Sequence, residues 1–306
     1  MLKQLTIMDL LKCPLTELIS RANAVRKSCA GPGLELCSIL NAKSGLCKED
    51  CKFCAQSSRH SAGISAYPLK SKDEIVKAAR RAKANGAHKF GIVTSGNRLS
   101  IKEIDVIAKA TSEIKDGIGI AVCASLGALT KQELKTLKEA GLSRYHHNIE
   151  TSPGFYANIV STHGFKERIE TITAAKEVGL EVCSGGIIGM GETWQDRMEM
   201  ADVLKKLDVD SIPINILVPI KGTPFEHVKP LSCNEVIRTI AIFRIVLGDK
   251  IIKIAAGRDT ILSDFQALGF LAGANGMIIG GYLTIKGRDI EKDRRLVKEV
   301  EKLWAE

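Results

Sequence analysis

Aromatic residues make up only 5% of this chain, and no apolar run approaches the ~18 residues that a membrane-spanning helix needs. Together these argue against a stacking nucleic-acid surface and against a membrane protein. No proline-rich linker, low-complexity tract or sequence repeat divides the 306 residues. The first residues, MLKQLTIMDLLKC, lack the charged start, long apolar centre and small-residue cleavage site of a signal peptide. The expected location is therefore cytoplasmic. The formal charge of +9 is spread along the helical segments rather than clustered, so no nucleic-acid partner is expected. Such a field instead favours small anionic ligands or an acidic electron-donor protein.

Nine cysteines are present. In a reducing compartment they do not form a disulfide framework, which makes metal or cluster ligation the leading reading.

Eight short apolar runs alternate with charged amphipathic stretches. The runs are 34–40, 88–95, 118–125, 143–150, 180–186, 212–218, 251–256 and 277–281. Stretches such as 73–86, 131–141 and 166–179 read as helices closing on a glycine. The alternation predicts an α/β fold, a (β/α)8 TIM barrel over 34–281, with an N-terminal helical extension over 1–33 and a C-terminal helix in 282–306. A single domain results, with its site at the C-terminal ends of the strands. Side chains two apart share a face of a strand. That parity aims Cys123, Cys183, Asn215 and Lys253 into the barrel, with Cys37 beside Ile39, and groups His146, Asn148 and Glu150 on the fourth strand.

The stretch 47-CKEDCKFC-54 holds three thiols as C-x3-C-x2-C. Three thiolates can hold an iron–sulfur cubane and leave one iron open to a chelating ligand. A zinc site would need a fourth ligand nearby, for which His60 is the candidate; buried free thiols are the other alternative. The spacing resembles the signature of the radical S-adenosylmethionine superfamily, which implies a 4Fe–4S cluster on Cys47, Cys51 and Cys54 and S-adenosylmethionine as cofactor. The glycines of 184-SGGIIGMGET-193 would then let backbone approach the cofactor closely.

Over most of its length the chain also resembles the biotin synthases, through 43-KSGLCKEDCKFCAQSSR-59, 145-YHHNIETSPGFY-156, 181-EVCSGGIIGMGET-193, 213-PINILVPIKGTP-224 and 271-LAGANGMIIGG-281. That resemblance implies a homodimeric sulfurtransferase closing the thiophane ring of dethiobiotin, with flavodoxin or ferredoxin as electron donor. It assigns Asn148 to the cofactor ribose and the substrate ureido group, and Glu150, where the family usually has Asp, to the ribose hydroxyls. Asn215 becomes the second ureido partner. Arg168 falls near the cofactor carboxylate, or is merely a solvated helix residue. Cys13, Cys29 and Cys233 match no role and read as structural.

The chain departs from the family at its second cluster, the sulfur source, commonly a 2Fe–2S centre on three cysteines and an arginine. Cys123 and Cys183 match, but Gly91 replaces one cysteine and Lys253 the arginine. Cys37 stands where serine is common. The expectation is a second three-cysteine site of Cys37, Cys123 and Cys183, holding a four-iron cluster with an extra sulfide. Alternatively, Cys37 is a small buried hydrophobe. Arg258 is a candidate electrostatic neighbour. Competing functions are another radical enzyme of the same barrel group, a maturase or mutase, and a non-catalytic iron–sulfur carrier.

Overall fold

The computed structural model describes residues 7–284 and 287–305. Helices α1 (Ile7–Lys12) and α2 (Leu15–Val25) and a π turn (Arg26–Ala30) precede the first strand. Then come β1 (Glu35–Lys43), α3 (Lys72–Ala84), β2 (Lys89–Thr94), α4 (Ile101–Gly117), β3 (Ala121–Ser125), α5 (Lys131–Glu139) and β4 (Arg144–His146). Helix α6 (Phe165–Glu177), β5 (Glu181–Cys183), β6 (Gly186–Ile188), α7 (Trp194–Lys206), β7 (Ser211–Ile216), α8 (Cys233–Leu247) and β8 (Ile251–Ile254) follow. The chain ends with α9 (Arg258–Ile261), α10 (Gln266–Leu271), β9 (Gly276–Ile278) and α11 (Ile290–Ala305). No helix is long and apolar enough to cross a membrane among the described residues.

All strand pairs are parallel, in the order β5-β4-β3-β2-β1-β9-β8-β7-β6, and β5 also pairs with β7. Strands β5 and β6 are two halves of one stave interrupted at Ser184 and Gly185, so the sheet closes as an eight-stave barrel with helices outside. The fifth apolar run therefore continues past its expected end at residue 186. The fourth is shorter than expected: regular pairing stops at His146, and Asn148 and Glu150 lie beyond it.

Helix entry is written locally. Ser71, Ser100, Thr130 and Thr193 each accept a hydrogen bond from the backbone of the third helical residue, whose Glu or Asp reaches back to the cap. These reciprocal caps start four of the outer helices directly after loops at the barrel mouth. Exits are equally local: Gly86, Gly141 and Gly179 have positive φ and end α3, α5 and α6, as expected for a left-handed helix C-terminus.

The terminal elements pack on the barrel. Arg238 of α8 donates to the carbonyl of Cys13 at 2.8 Å, and Arg26 lies over the Trp304 ring of α11, 3.9 Å from its centroid. Arg258 does not face the barrel interior. It is fully buried against Asp293 of α11, donating to both carboxylate oxygens at 2.7 Å. Its expected role beside the second cluster is thereby corrected: a buried guanidinium requires a counter-charge, and the C-terminal helix supplies it. Of the unassigned cysteines, Cys13 is core, Cys233 half-buried and Cys29 exposed, so the structural reading does not extend to Cys29.

Candidate active site

A cavity of about 410 Å³ opens in the barrel, within the size range of small-molecule sites. Cys37, Cys123 and Cys183 line it, as do Cys47, Cys51 and Cys54, with Asn148, Glu150, Arg168, Asn215 and Lys253 among the other walls. Every site residue expected from the sequence thus faces one space, in two cysteine triads.

The first triad rides on the loop after β1. Cys47 N–H bonds the Gln56 carbonyl at 3.1 Å and Ser58 N–H the Cys47 carbonyl at 2.7 Å, closing the loop on itself. Asp50 fastens it to a second loop, accepting from the backbone of Ser161 at 2.9 Å and Thr162 at 3.2 Å and from both hydroxyls. Burial pushes the Cys54 thiol up to about 11. Burial and then the neighbouring Cys54 push Cys51 up as well. Thiols crowded this way become thiolates only beside a strong cation, which an iron cluster is. No three Cys, His, Asp or Glu side chains close on a single ion among the described residues, and His60 is turned to the Cys54 carbonyl, 2.9 Å from its Nδ1. Three thiols on one loop, with no fourth protein ligand needed, fit an iron–sulfur cubane.

The second triad lies deeper. Cys37 of β1 is in register with Lys89 of β2, and Gly91 of β2 with Cys123 of β3. Cys183 of β5 is in register with His146. A Cβ on Gly91 would stand 3.1 Å from the Ile39 Cγ2, so an isoleucine methyl crowds the position of the family's missing thiol. Lys253, nearly fully buried, donates to Cys37 Sγ at 3.1 Å and pairs with Glu35 at 2.7 Å. Glu35 also takes both terminal nitrogens of Arg144, at 2.6 and 3.2 Å. Arg144 and Lys89 share Glu181. Burial would raise the Glu35 carboxyl, but Lys253 and Arg144 hold it at about 2.

This basic floor acts on the thiols unequally. Burial pushes Cys183 up, but Lys253, His146 and Arg144 outweigh it and bring the thiol to about 6. Cys123 rises to about 12 through burial and the charge of Cys37, and burial raises Cys37 itself despite Lys253. Three thiols above buried positive charge fit an anionic cluster–thiolate assembly.

The cofactor and substrate candidates form a third group. Asn148 Oδ1 accepts from Gly185 N–H at 3.1 Å, and Asn215 Nδ2 donates to the Gly186 carbonyl at 3.1 Å. The two asparagines thus grip the same break in the fifth stave. Asn215 Oδ1 also accepts from Ala256 N–H at 3.2 Å. Each carboxamide retains one N–H and one lone pair for a ligand. Glu150 sits at φ +67°, a costly conformation for a non-glycine residue and one found at functional sites. Its carboxylate lies 3.3 Å from Asn148 Nδ2 and 3.8 Å from Arg168. Arg168 is no solvated helix residue: its side chain is only 12% exposed, and it donates to Tyr156 Oη at 2.7 Å and the Asn148 carbonyl at 3.1 Å.

Two glycines of 184–193 are required by packing. A Cβ on Gly185 would stand 2.1 Å from the Pro213 carbonyl oxygen, and one on Gly186 2.4 Å from that of Glu150. The following turn is closed by Glu192, which accepts from Gly189 and Met190 N–H and from Arg197. At these two positions close backbone approach is made by Pro213 of β7 and by Glu150 beyond β4.

Three residues escaped the sequence reading. His147 lines the cavity, is held neutral chiefly by burial, and its Nε2 has no protein partner, which marks a place for a ligand's polar atom. Tyr156 and His163 connect Arg168 to Cys51. All three lie in or just after 145-YHHNIETSPGFY-156, so the signal was the motif itself.

Residues 43–204 match the family described as the radical SAM superfamily, and residues 213–301 the Biotin and Thiamin Synthesis associated domain. The biotin synthase of Thermotoga petrophila is 54% identical over 296 residues, covering 96% of this chain and 98% of that protein. That of Clostridium acetobutylicum is 48% identical, covering 93% and 87%. Among solved structures, methylornithine synthase aligns with a TM-score of 0.83 at 22% identity, covering 98% of this chain and 93% of that one. An FeFe-hydrogenase maturase from Carboxydothermus hydrogenoformans aligns at 0.81 and 17%, covering 96% and 75%. These two share the fold; the sequence relatives carry the resemblance further.

Proposed function

The chain belongs to the biotin synthases of the radical SAM superfamily, and from that premise we propose how its residues divide the labour of converting dethiobiotin to biotin. Membership makes it an enzyme that uses a 4Fe–4S cluster and S-adenosylmethionine. When bound, these supply a 5′-deoxyadenosyl radical for hydrogen abstraction, and the second cluster supplies sulfur.

Cys47, Cys51 and Cys54 hold the first cluster. Asn148 and Glu150 hold the cofactor ribose, and Arg168 stands by its carboxylate. Asn148 and Asn215 offer N–H and C=O groups to the ureido ring, each fixed in orientation by the backbone of the broken stave. Barrel walls exclude water from the radical. Cys37, Cys123 and Cys183 hold the auxiliary cluster, which we assign as a four-iron type carrying an extra sulfide. The single observation behind this assignment is that Cys37 joins the other two thiols around Lys253 while Ile39 crowds the empty position at Gly91. Three thiolates suit a cubane with one open iron better than a 2Fe–2S centre, which takes four protein ligands.

We further propose a cytoplasmic homodimer that takes electrons from flavodoxin or ferredoxin; the net positive charge supports an acidic donor. The deciding experiment is anaerobic reconstitution with iron analysis, Mössbauer spectroscopy and mass analysis of products from dethiobiotin. About eight irons per chain and biotin formation are expected. A 2Fe–2S signature would reject the auxiliary assignment, and deoxyadenosine without biotin would favour another reaction of the same barrel group.

A further inference from the structure

Between the cofactor-binding residues and the first cysteine triad runs a line of hydrogen bonds whose polarity is fixed by chemistry. Arg168 Nε lies 2.7 Å from Tyr156 Oη, Tyr156 Oη 2.8 Å from His163 Nδ1, and His163 Nε2 3.4 Å from Cys51 Sγ. A guanidinium only donates, so the tyrosine oxygen accepts from it and its own proton is available to Nδ1 of a neutral imidazole. The imidazole proton must then sit on Nε2, facing the sulfur. A cysteine that ligates iron is a thiolate and only accepts. With a neutral imidazole the four groups are satisfied in one direction, ending in N–H···S.

The geometry is built. The His163 side chain is only 4% exposed, and its loop is tied to the cysteine loop by Asp50 and by Lys52 N–H donating to the Ile159 carbonyl at 2.9 Å. Phe165 packs edge-on against Tyr156, centroids 5.3 Å apart. The other acceptor near Nε2, Glu49 Oε2, is at 4.0 Å, beyond hydrogen-bond reach.

We propose that His163 is a positioning residue for the first cluster, donating an Nε2–H hydrogen bond to Cys51 Sγ in a tautomer locked by Tyr156 and Arg168. Hydrogen bonds to cluster sulfurs are among the determinants of reduction potential. This one withdraws charge from the sulfur and makes the potential less negative. Arg168 also holds the Asn148 carbonyl and faces Glu150. The inference rests on Cys51 being a cluster ligand.

The test is an EPR-monitored redox titration of the anaerobically reconstituted enzyme, following the signal that changes when S-adenosylmethionine is added. His163→Phe should load full iron and shift that midpoint to more negative potential. His163→Gln, which keeps an N–H donor, should restore most of the shift, and Tyr156→Phe should produce a smaller shift of the same sign. An unchanged midpoint in His163→Phe overturns the proposal, and an unchanged midpoint in Tyr156→Phe overturns the tautomer lock. If the variants fail to load iron, wild-type enzyme labelled with [15N]histidine decides: a histidine hyperfine coupling to the reduced cluster supports the bond, and its absence refutes it. A wild type with no cofactor-responsive cluster signal would instead sink the ligand assignment, and the inference with it.

Discussion

Replacing Cys37 by serine isolates the auxiliary site. Cys37 faces Lys253 Nζ at 3.1 Å from the innermost part of β1, whereas the first triad sits on the loop beyond that strand. The hydroxyl is close in size to the thiol and still accepts from Lys253, so the folding penalty should stay near about 1 kcal/mol. The buried Glu35, Arg144 and Lys253 pairs remain intact. The ligand loss is not small: an alkoxide is a poor substitute for thiolate, and one of three anchors goes. Iron should therefore fall from about eight to about four per chain. Deoxyadenosine production should persist and biotin should vanish. The assay is anaerobic iron determination with Mössbauer spectra, alongside quantification of deoxyadenosine and biotin. Full biotin yield with undiminished iron would refute the reasoning and return Cys37 to the role of a buried apolar residue.

Cys51→Ala should abolish cofactor cleavage while leaving the auxiliary iron in place; normal deoxyadenosine formation would reject the first cluster's ligand set. Asn215→Ala should weaken dethiobiotin binding by about 1–3 kcal/mol, the cost of stranding a buried polar partner, and an unchanged dissociation constant in a calorimetric titration would move the ureido site elsewhere. Asp293→Ala leaves Arg258, only 1% exposed, without its counter-charge, so unfolding free energy should drop by about 3–5 kcal/mol. A loss under about 1 kcal/mol in denaturant unfolding would show that this pair does not anchor α11.

The sequence by itself determined what depends on local period and short spacing. Alternating apolar runs specified the barrel, because strand and helix periods are properties of neighbouring residues. Side-chain parity was enough to aim Cys123, Cys183, Asn215 and Lys253 inward, since a strand's geometry repeats every two residues. The C-x3-C-x2-C spacing was legible for the same reason. Only barrel closure decided the rest. Lys253 meets Cys37 across 216 positions of sequence and His163 meets Cys51 across 112, and no local pattern encodes which distant side chain completes a pair. Arg258 turned away from the cavity because Asp293, on a helix outside the barrel, offered a counter-charge that a buried guanidinium cannot do without. At Gly185 and Gly186 the close approach that the missing Cβ permits is made by Pro213 and Glu150. A glycine records that something comes near; the tertiary structure alone determines what that is, because the constraint is the missing Cβ and not the identity of the neighbour.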